Sequence, residues 1–202
     1  MISIIDYDAG NIKSVEKAVR YLGHDCVTTR DADTITGSDH VILPGVGSFG
    51  DAMQRLEEYK LVSVISEVCD KGIPFLGICL GLQLLFEESE ESPGVEGLGL
   101  LKGSIRKLPE DAGLKVPNIG WNSLHLPRKS RIFEGVDEES FVYFVHSYYL
   151  DAKDKDIVTS VIDYGTKVDA SVESDNIFAC QFHPEKSSDI GLRILENFLN
   201  VQ

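Results

Sequence analysis

The chain has 202 residues, of which 43% are hydrophobic and 26% charged, a composition typical of one globular domain with a substantial core. Its net charge of −14 disfavours nucleic acids and anionic membranes as partners, because neither surface would attract it. The longest nearly apolar run, residues 73–86, is too short to cross a bilayer. We therefore expect a single domain over residues 1–202.

The amino terminus and the cysteines indicate a cytoplasmic protein. No basic segment of the kind that opens a secretory signal precedes the first apolar residues. The four cysteines lie far apart and form no CxxC pair, which argues against a zinc site and against a disulfide framework. They are Cys26, Cys69, Cys79 and Cys180. We expect a reducing compartment and no bound metal.

In chain order, the first half alternates predicted strands with predicted helices. Strands are expected over residues 2–6, 25–29, 40–43 and 74–78, and helices after Asn11 and over residues 49–58 and 61–71. Asn11 is a good N-cap for a helix whose apolar face comprises Ile12, Val15, Val19 and Leu22. Such alternation predicts an α/β fold with a doubly wound, mostly parallel sheet, flanked by helices, whose sites lie at the carboxyl ends of the strands.

The second half of the chain contains more predicted strands than the first half. Strands are predicted over residues 103–108, 121–126, 141–149, 157–162, 167–173 and 177–182. An amphipathic helix over residues 190–199 ends the pattern. We find no internal repeat and no linker, so the additional strands belong to the same domain.

The most informative segment is the strand–turn–helix at residues 74–86. It contains the pattern Gly-x-Cys-x-Gly, which in its hydroxyl version presents a nucleophile at a sharp turn above a sheet. Gly77 and Gly81 lack a Cβ, so the turn closes without steric conflict. Cys79 lies where a helix begins, and a helix amino terminus favours the thiolate. The plainer interpretation is a buried structural cysteine.

About a hundred residues downstream, His183-Pro184-Glu185 follows the apolar run 177–182. Pro184 has no backbone N–H, which places the tripeptide at a strand end. If the chain stays extended, His183 and Glu185 point to the same side, so one imidazole nitrogen faces the thiol while the carboxylate holds the other. The sequence thus predicts a Cys79–His183–Glu185 triad for acyl transfer.

Two further segments are expected at the same sheet edge. Pro44-Gly45-Val46-Gly47 follows a buried strand, and an amide of Val46 or Gly47 would form an oxyanion hole with the N–H of Leu80. A phosphate-binding loop is the competing interpretation, but the glycine spacing and the Lys-Ser/Thr pair are missing. Gln83, one helical turn beyond Cys79, is expected either to face the cleft or to bond nearby backbone.

Together these motifs resemble those of the triad-type glutamine amidotransferases. Within that family the chain is most similar to the glutaminase subunits of imidazole glycerol phosphate synthases, which serve histidine biosynthesis. The closer similarity lies in Asp-Tyr-Asp-Ala-Gly-Asn-Ile-Lys-Ser-Val near the start, in Gly-Trp-Asn and in Tyr-Phe-Val-His-Ser-Tyr. The resemblance implies a flavodoxin-like fold, no cofactor, and release of ammonia from glutamine by Cys79, His183 and Glu185.

The same resemblance implies roles for other residues. It implies glutamine-binding positions at Gly47, Gln83, Glu91, His146, Ser147 and Tyr148. It also implies a heterodimer with a separate (β/α)₈-barrel cyclase subunit, contacted at or near Asn11, Trp121 and Lys186. One departure is Asn118, since the residue after Pro117 is usually histidine in this family.

Three alternatives remain open at this point. Another amidotransferase of the same class would share the triad but serve a different synthase. A cysteine hydrolase acting on a larger substrate would need no partner protein. A non-catalytic binding domain would tolerate loss of the triad, although all three triad residues are present here.

Overall fold

The computed structural model describes residues 1–8, 10–110 and 113–202, and these ranges contain six α-helices and twelve strands. The helices are α1 (Ile12–Tyr21), α2 (Ala32–Thr36), α3 (Phe49–Glu58), α4 (Leu61–Asp70), α5 (Leu80–Leu84) and α6 (Ser188–Leu199). The strands are β1 (Ile2–Ile5), β2 (Cys26–Thr29), β3 (His40–Leu43), β4 (Phe75–Ile78), β5 (Glu88–Ser89), β6 (Gly103–Lys107), β7 (Asn118–Ser123), β8 (Phe141–His146), β9 (Tyr148–Ala152), β10 (Val158–Asp163), β11 (Lys167–Ser174) and β12 (Ile177–Cys180).

One large sheet organises the chain, in the order β2-β1-β3-β4-β12-β11-β9-β6-β5, with β10 paired to β11. Strands β2, β1, β3, β4 and β12 run parallel to one another. Strands β11, β9 and β6 continue the sheet with antiparallel pairings. The predicted α/β fold, with a mostly parallel sheet and additional strands in the second half, is confirmed.

Hydrophobic residues cover both faces of this sheet, because successive side chains of a buried strand point to opposite faces. In β4, Leu76 and Ile78 belong to the apolar cluster that packs with α1 and α6. Phe75 belongs to the cluster on the other face, which packs with α3 and α4. Helices on both faces leave the carboxyl ends of β1, β3, β4 and β12 as the edge where loops converge.

Strands β7 and β8 form a separate antiparallel hairpin, and here the sequence-based prediction was wrong. A single strand was expected over residues 141–149, but the chain breaks at Ser147 into β8 and β9. β8 pairs with β7, whereas β9 joins the large sheet beside β6. The sequence from residue 141 to 149 is apolar or aromatic except at His146 and Ser147, so the composition of the run does not reveal the change of sheet.

Helix α2 was missed for a different reason. It has only five residues, too few for a helical period to show in the sequence. Its start is nevertheless marked, because the Asp31 side chain accepts a hydrogen bond from the Thr34 N–H at 2.9 Å. The capping residue was a better signal here than the hydrophobic pattern.

Some features concern the described part of the chain as a whole. Among its helices, none has the length and apolar character that crossing a membrane requires. The same residues contain no group of three or more histidine, cysteine, aspartate or glutamate side chains placed to hold a metal ion. All four cysteines are free thiols.

Candidate active site

Cys79 lies in the turn between β4 and α5, where it is the N-cap residue of the helix. Its backbone has φ 55° and ψ −107°, a region that residues other than glycine rarely adopt. The Cys79 N–H donates to the Cys180 carbonyl at 2.7 Å, which fixes the turn to the end of β12. A constrained backbone of this kind is typical of a functional position.

The two glycines of the elbow are required because the turn packs against its surroundings. A Cβ at Gly81 would lie 1.9 Å from the Leu43 carbonyl oxygen, and one at Gly77 would lie 2.7 Å from the Gly81 oxygen. Both distances are far inside van der Waals contact. The predicted need for residues without a Cβ at these positions is confirmed.

His183 and Glu185 come together as predicted, but by a different local structure. His183 Nδ1 lies 2.8 Å from Glu185 Oε1, and both side chains are buried. The chain is not extended there, because a short 3₁₀ turn over Pro184–Lys186 begins directly after His183. Proline is favoured at the first position of a helical turn, where its missing N–H would be unpaired in any case.

The electrostatic surroundings of His183 suit acid–base chemistry. Burial lowers the pKa of His183, but the neighbouring Cys79 and Glu185 outweigh burial and raise it to about 9. The imidazole is therefore protonated at neutral pH. Its Nε2 atom is buried and makes no hydrogen bond within residues 1–8, 10–110 and 113–202, so this nitrogen is free for the reaction. A protonated imidazole beside a cysteine favours the thiolate.

Asn11 lies at the predicted start of α1, but its side chain bonds elsewhere. It is the N-cap residue of α1, but its side chain makes no capping hydrogen bond. The amide instead donates to Glu185 Oε1 at 2.5 Å, from a residue 174 positions away in the chain. Asn11 thus supports the carboxylate that orients His183, and tertiary structure overrides the local capping preference.

A cavity of about 290 Å³ opens above Cys79. All six residues expected to bind glutamine line it. Its lining consists of Val46, Gly47, Cys79, Leu80, Gln83, Glu91, Pro117, Val145, His146, Ser147 and Tyr148. The cavity therefore joins the predicted nucleophile, the predicted oxyanion loop and the predicted binding residues.

Gln83 has partners both in the backbone and in a second side chain. Its Nε2 atom donates to the Tyr148 carbonyl at 3.1 Å and to Gln181 Oε1 at 3.0 Å. Gln181 in turn lies 3.6 Å from the Cys79 sulphur through its Nε2 atom. Gln181 was not predicted from the sequence, although a polar residue in the apolar run 177–182 is the same signal that pointed to Gln83.

His146 is held as a neutral imidazole. Its pKa is lowered to about 4, chiefly by burial and also by the charge on His183, against the opposing effect of the Tyr148 carbonyl. His146 Nδ1 lies 2.9 Å from that carbonyl, so Nδ1 carries the proton and donates it. Nε2 is then an acceptor for the Asn118 amide at 3.1 Å. The Tyr148 carbonyl therefore fixes the tautomer of this cavity residue, and Asn118, the departure from the family pattern, is the donor that matches it.

The loop over residues 44–47 lies beside the elbow, as predicted from the order of β3 and β4. The Leu80 N–H, one expected oxyanion donor, is directed at the Gly45 carbonyl at a long 3.4 Å. The buried Tyr7 hydroxyl donates to the Pro44 carbonyl at 2.8 Å. In this arrangement the Leu80 N–H faces the Gly45 carbonyl, so it is not free to donate to an oxyanion.

The remaining predicted residues lie at the surface around the triad. Trp121 is 49% exposed in the β7–β8 hairpin, and its ring contacts that of Tyr143 edge-on at 6.0 Å. Lys186 is exposed in the 3₁₀ turn, next to Glu185. Asn11 is half-buried and contacts Glu185 on the inner side.

Comparison with known proteins assigns this arrangement to a family. Residues 3–201 match the family model described as glutamine amidotransferase class-I. The chain belongs to this family. Solved structures agree on the fold: PurLQS from Thermotoga maritima superposes with a TM-score of 0.75 at 21% identity, covering 98% of this chain and 97% of that chain. A second structure, entitled glutamine amidotransferase, gives a TM-score of 0.75 at 19% identity, with 98% of each chain covered.

Relatives with higher identity share one name, imidazole glycerol phosphate synthase subunit HisH. The relative from Bacillus cereus (strain G9842) is 55% identical over 201 residues, which cover 100% of this chain and 95% of the relative. The one from Aquifex aeolicus (strain VF5) is 52% identical over 196 residues, covering 96% and 94%. This amidotransferase chain therefore matches relatives of nearly the same length throughout.

Proposed function

We propose that the chain is the glutaminase subunit of an imidazole glycerol phosphate synthase. It hydrolyses glutamine to glutamate and ammonia and passes the ammonia to a cyclase subunit in histidine biosynthesis. The observation that carries the proposal is that Cys79 lines a cavity of about 290 Å³ and neighbours His183, whose Nδ1 lies 2.8 Å from Glu185 Oε1. The full-length relatives favour this synthase over another amidotransferase-dependent enzyme.

The first half of the reaction forms a thioester. The Cys79 sulphur attacks the side-chain carbonyl carbon of glutamine, and the electron pair of the C=O bond moves to oxygen. His183 then gives its Nε2 proton to the amide nitrogen, so ammonia leaves as the carbonyl re-forms. A His183 pKa of about 9 means that this proton is present at neutral pH.

The second half releases glutamate. His183, now neutral, takes a proton from a water molecule while the water oxygen attacks the thioester carbon. The carbon–sulphur bond breaks, the thiolate returns to Cys79, and His183 is again protonated. Glu185 holds Nδ1 at 2.8 Å in both steps and so keeps Nε2 directed at the reacting atoms.

The cavity supplies groups for binding glutamine. The Gln83 amide nitrogen is occupied by Tyr148 and Gln181, so its oxygen is the atom left to accept a hydrogen bond from the substrate. Glu91 supplies a carboxylate for the α-ammonium group, although its Oε2 already accepts from the Phe49 N–H at 2.7 Å. The backbone around Ser147 completes the wall.

The cyclase subunit, a (β/α)₈ barrel, is proposed to dock on the hairpin face beside the triad to form a heterodimer. Ile119, Trp121 and Phe141 lie on one face of the hairpin and are 62%, 49% and 57% exposed. An apolar strip of this kind on a soluble chain typically marks a protein interface. The strip borders the turn that carries Lys186, since Tyr143 N–H donates to Ser187 Oγ at 2.9 Å.

The proposed function is tested with a chloroketone analogue of glutamine, which places an electrophilic carbon where the amide belongs. We expect stoichiometric loss of glutaminase activity, with the label on the peptide that contains Cys79, and protection by glutamine. Cys69→Ala is the matched control and should label like the parent, because burial raises the pKa of Cys69 to about 12. Labelling elsewhere, or labelling that glutamine does not slow, would contradict the proposal.

A further inference from the structure

Gln181 is a buried polar residue next to the reaction centre that the mechanism above does not use. It follows β12, has no exposed surface, and donates its backbone N–H to the Ala170 carbonyl at 2.8 Å. Burying a side-chain amide is unfavourable unless its polar atoms are paired. The hydrogen-bond partners of this amide therefore explain how a polar side chain is accommodated in the apolar run 177–182.

The hydrogen-bond pattern determines which way the Gln181 amide faces. The Tyr148 carbonyl can only accept, so the Gln83 atom that it contacts is the amide nitrogen. That same nitrogen contacts Gln181 at 3.0 Å, so the Gln181 atom there is the oxygen. The other Gln181 atom, 3.6 Å from the Cys79 sulphur, is then the nitrogen and a donor.

We propose that Gln181 is a further catalytic residue, whose amide N–H stabilises the Cys79 thiolate while its oxygen holds Gln83. Hydrogen bonds to an ionised partner are roughly twice as strong as neutral ones, so this bond favours the thiolate over the thiol. It acts again when the thioester breaks and the charge returns to sulphur. No bond to Gln181 forms or breaks, and no proton leaves it.

The same contact couples substrate binding to the nucleophile. Gln83 faces the cavity, and its position depends on the Gln181 oxygen. A shift of Gln83 on binding glutamine is therefore transmitted through one rigid amide to the sulphur. The assignment of this role to glutamine hydrolysis rests on the proposed function, whereas the contact with the thiol does not.

The first test measures the reactivity of the Cys79 thiol in the absence of glutamine. Gln181→Met keeps the length of the side chain but removes the donor, so alkylation of Cys79 by iodoacetamide at neutral pH should slow by about tenfold. Peptide mass mapping separates Cys79 from the three other cysteines. Gln54→Met is the matched control, because Gln54 is exposed on α3 and bonds only Glu58 among the described residues.

The second test separates the two halves of the amide. Gln181→Glu keeps an oxygen that accepts from Gln83 but loses the donor to sulphur, so kcat for glutamine should fall by about tenfold with little change in KM. Gln181→Met removes both contacts, so KM should rise as well. A merely structural role would change stability without this difference between the variants.

The inference is overturned if folded Gln181→Met alkylates at Cys79 and turns over glutamine within about twofold of the parent. If that variant does not fold, the same two measurements on Gln181→Glu decide the matter. Slower alkylation of Gln181→Met, together with a parent chain that hydrolyses no glutamine even in the presence of the cyclase subunit, would support the contact with the sulphur and reject the proposed function. Parent-like alkylation with normal glutaminase activity would reject this inference alone.

Discussion

The charge state of a few buried side chains determines what this site can do. Two histidines lie near the cavity and are perturbed in opposite directions: the pKa of His183 is raised to about 9 and that of His146 is lowered to about 4. Both are buried, so burial alone does not explain the difference. Cys79 and Glu185 stabilise the cation on His183. His146 hydrogen-bonds a carbonyl and a neutral amide, and the charge on His183 opposes a second cation there. One imidazole is thereby available as an acid and the other is confined to a binding role.

At the residue scale we predict the effect of Glu185→Gln on the pH profile. The parent needs the His183 proton, which is present below a pKa of about 9 and is lost as the pH rises through it, so kcat/KM should fall on that alkaline limb. Removing the carboxylate lowers the pKa of His183, so the limb should move to lower pH and kcat should also fall.

Steady-state glutaminase profiles of the two proteins, each complexed with the cyclase, check this prediction. Glu196→Gln is the matched control and should keep the parent profile, because the Glu196 side chain on α6 is 45% exposed and pairs with Arg193. An unchanged limb in Glu185→Gln would show that this carboxylate does not set the proton affinity of His183.

At the element scale, the loop after β3 decides whether the oxyanion hole is open. The Leu80 N–H and the Gly45 carbonyl face each other at 3.4 Å, a long and weak hydrogen bond. Gly47 has φ +110°, an orientation in which other residues are strained. A rotation of the peptide planes between Gly45 and Gly47 would replace the carbonyl with an N–H while the triad stays in place.

We therefore predict that the free chain is a poor glutaminase and that the cyclase subunit activates it. One oxyanion donor contributes roughly 10² to 10³ in rate, so activation of about that size is expected. Glutaminase rates of the free chain and of the heterodimer, with and without the cyclase ligand, measure it. Trp121→Ala should raise the cyclase concentration needed for half-activation. Equal glutaminase rates in all three states would rule out control by rotation of the loop peptides.

At the scale of the whole molecule, the fold was predictable from the sequence in the first half of the chain, where strands and helices alternate. β3 and α3 have the predicted bounds, and the elbow strand and α5 lie where the glycine pattern places them. The break at Ser147 and the five-residue α2 were not predictable from periodicity. Their physical causes are long-range pairing in the first case and short length in the second.

The candidate site was predictable in the parts that motifs encode and less so in the parts that tertiary contacts create. Cys79, His183 and Glu185 were inferred from two short patterns. The Asn11–Glu185 contact joins residues 174 positions apart, and no local pattern reveals such a pair. Gln181 left a signal, a polar residue in a buried run, but its role depends on the positions of Gln83 and Cys79 in space.

The central claim is that Cys79 only releases ammonia, which the partner subunit then uses. It is tested most directly by assaying the Cys79→Ala heterodimer for imidazole glycerol phosphate, with glutamine and separately with an ammonium salt. We predict that the glutamine-dependent rate falls by at least about a thousandfold, while the ammonium-dependent rate stays near that of the parent. Glutamine-dependent turnover close to the parent rate would contradict the account.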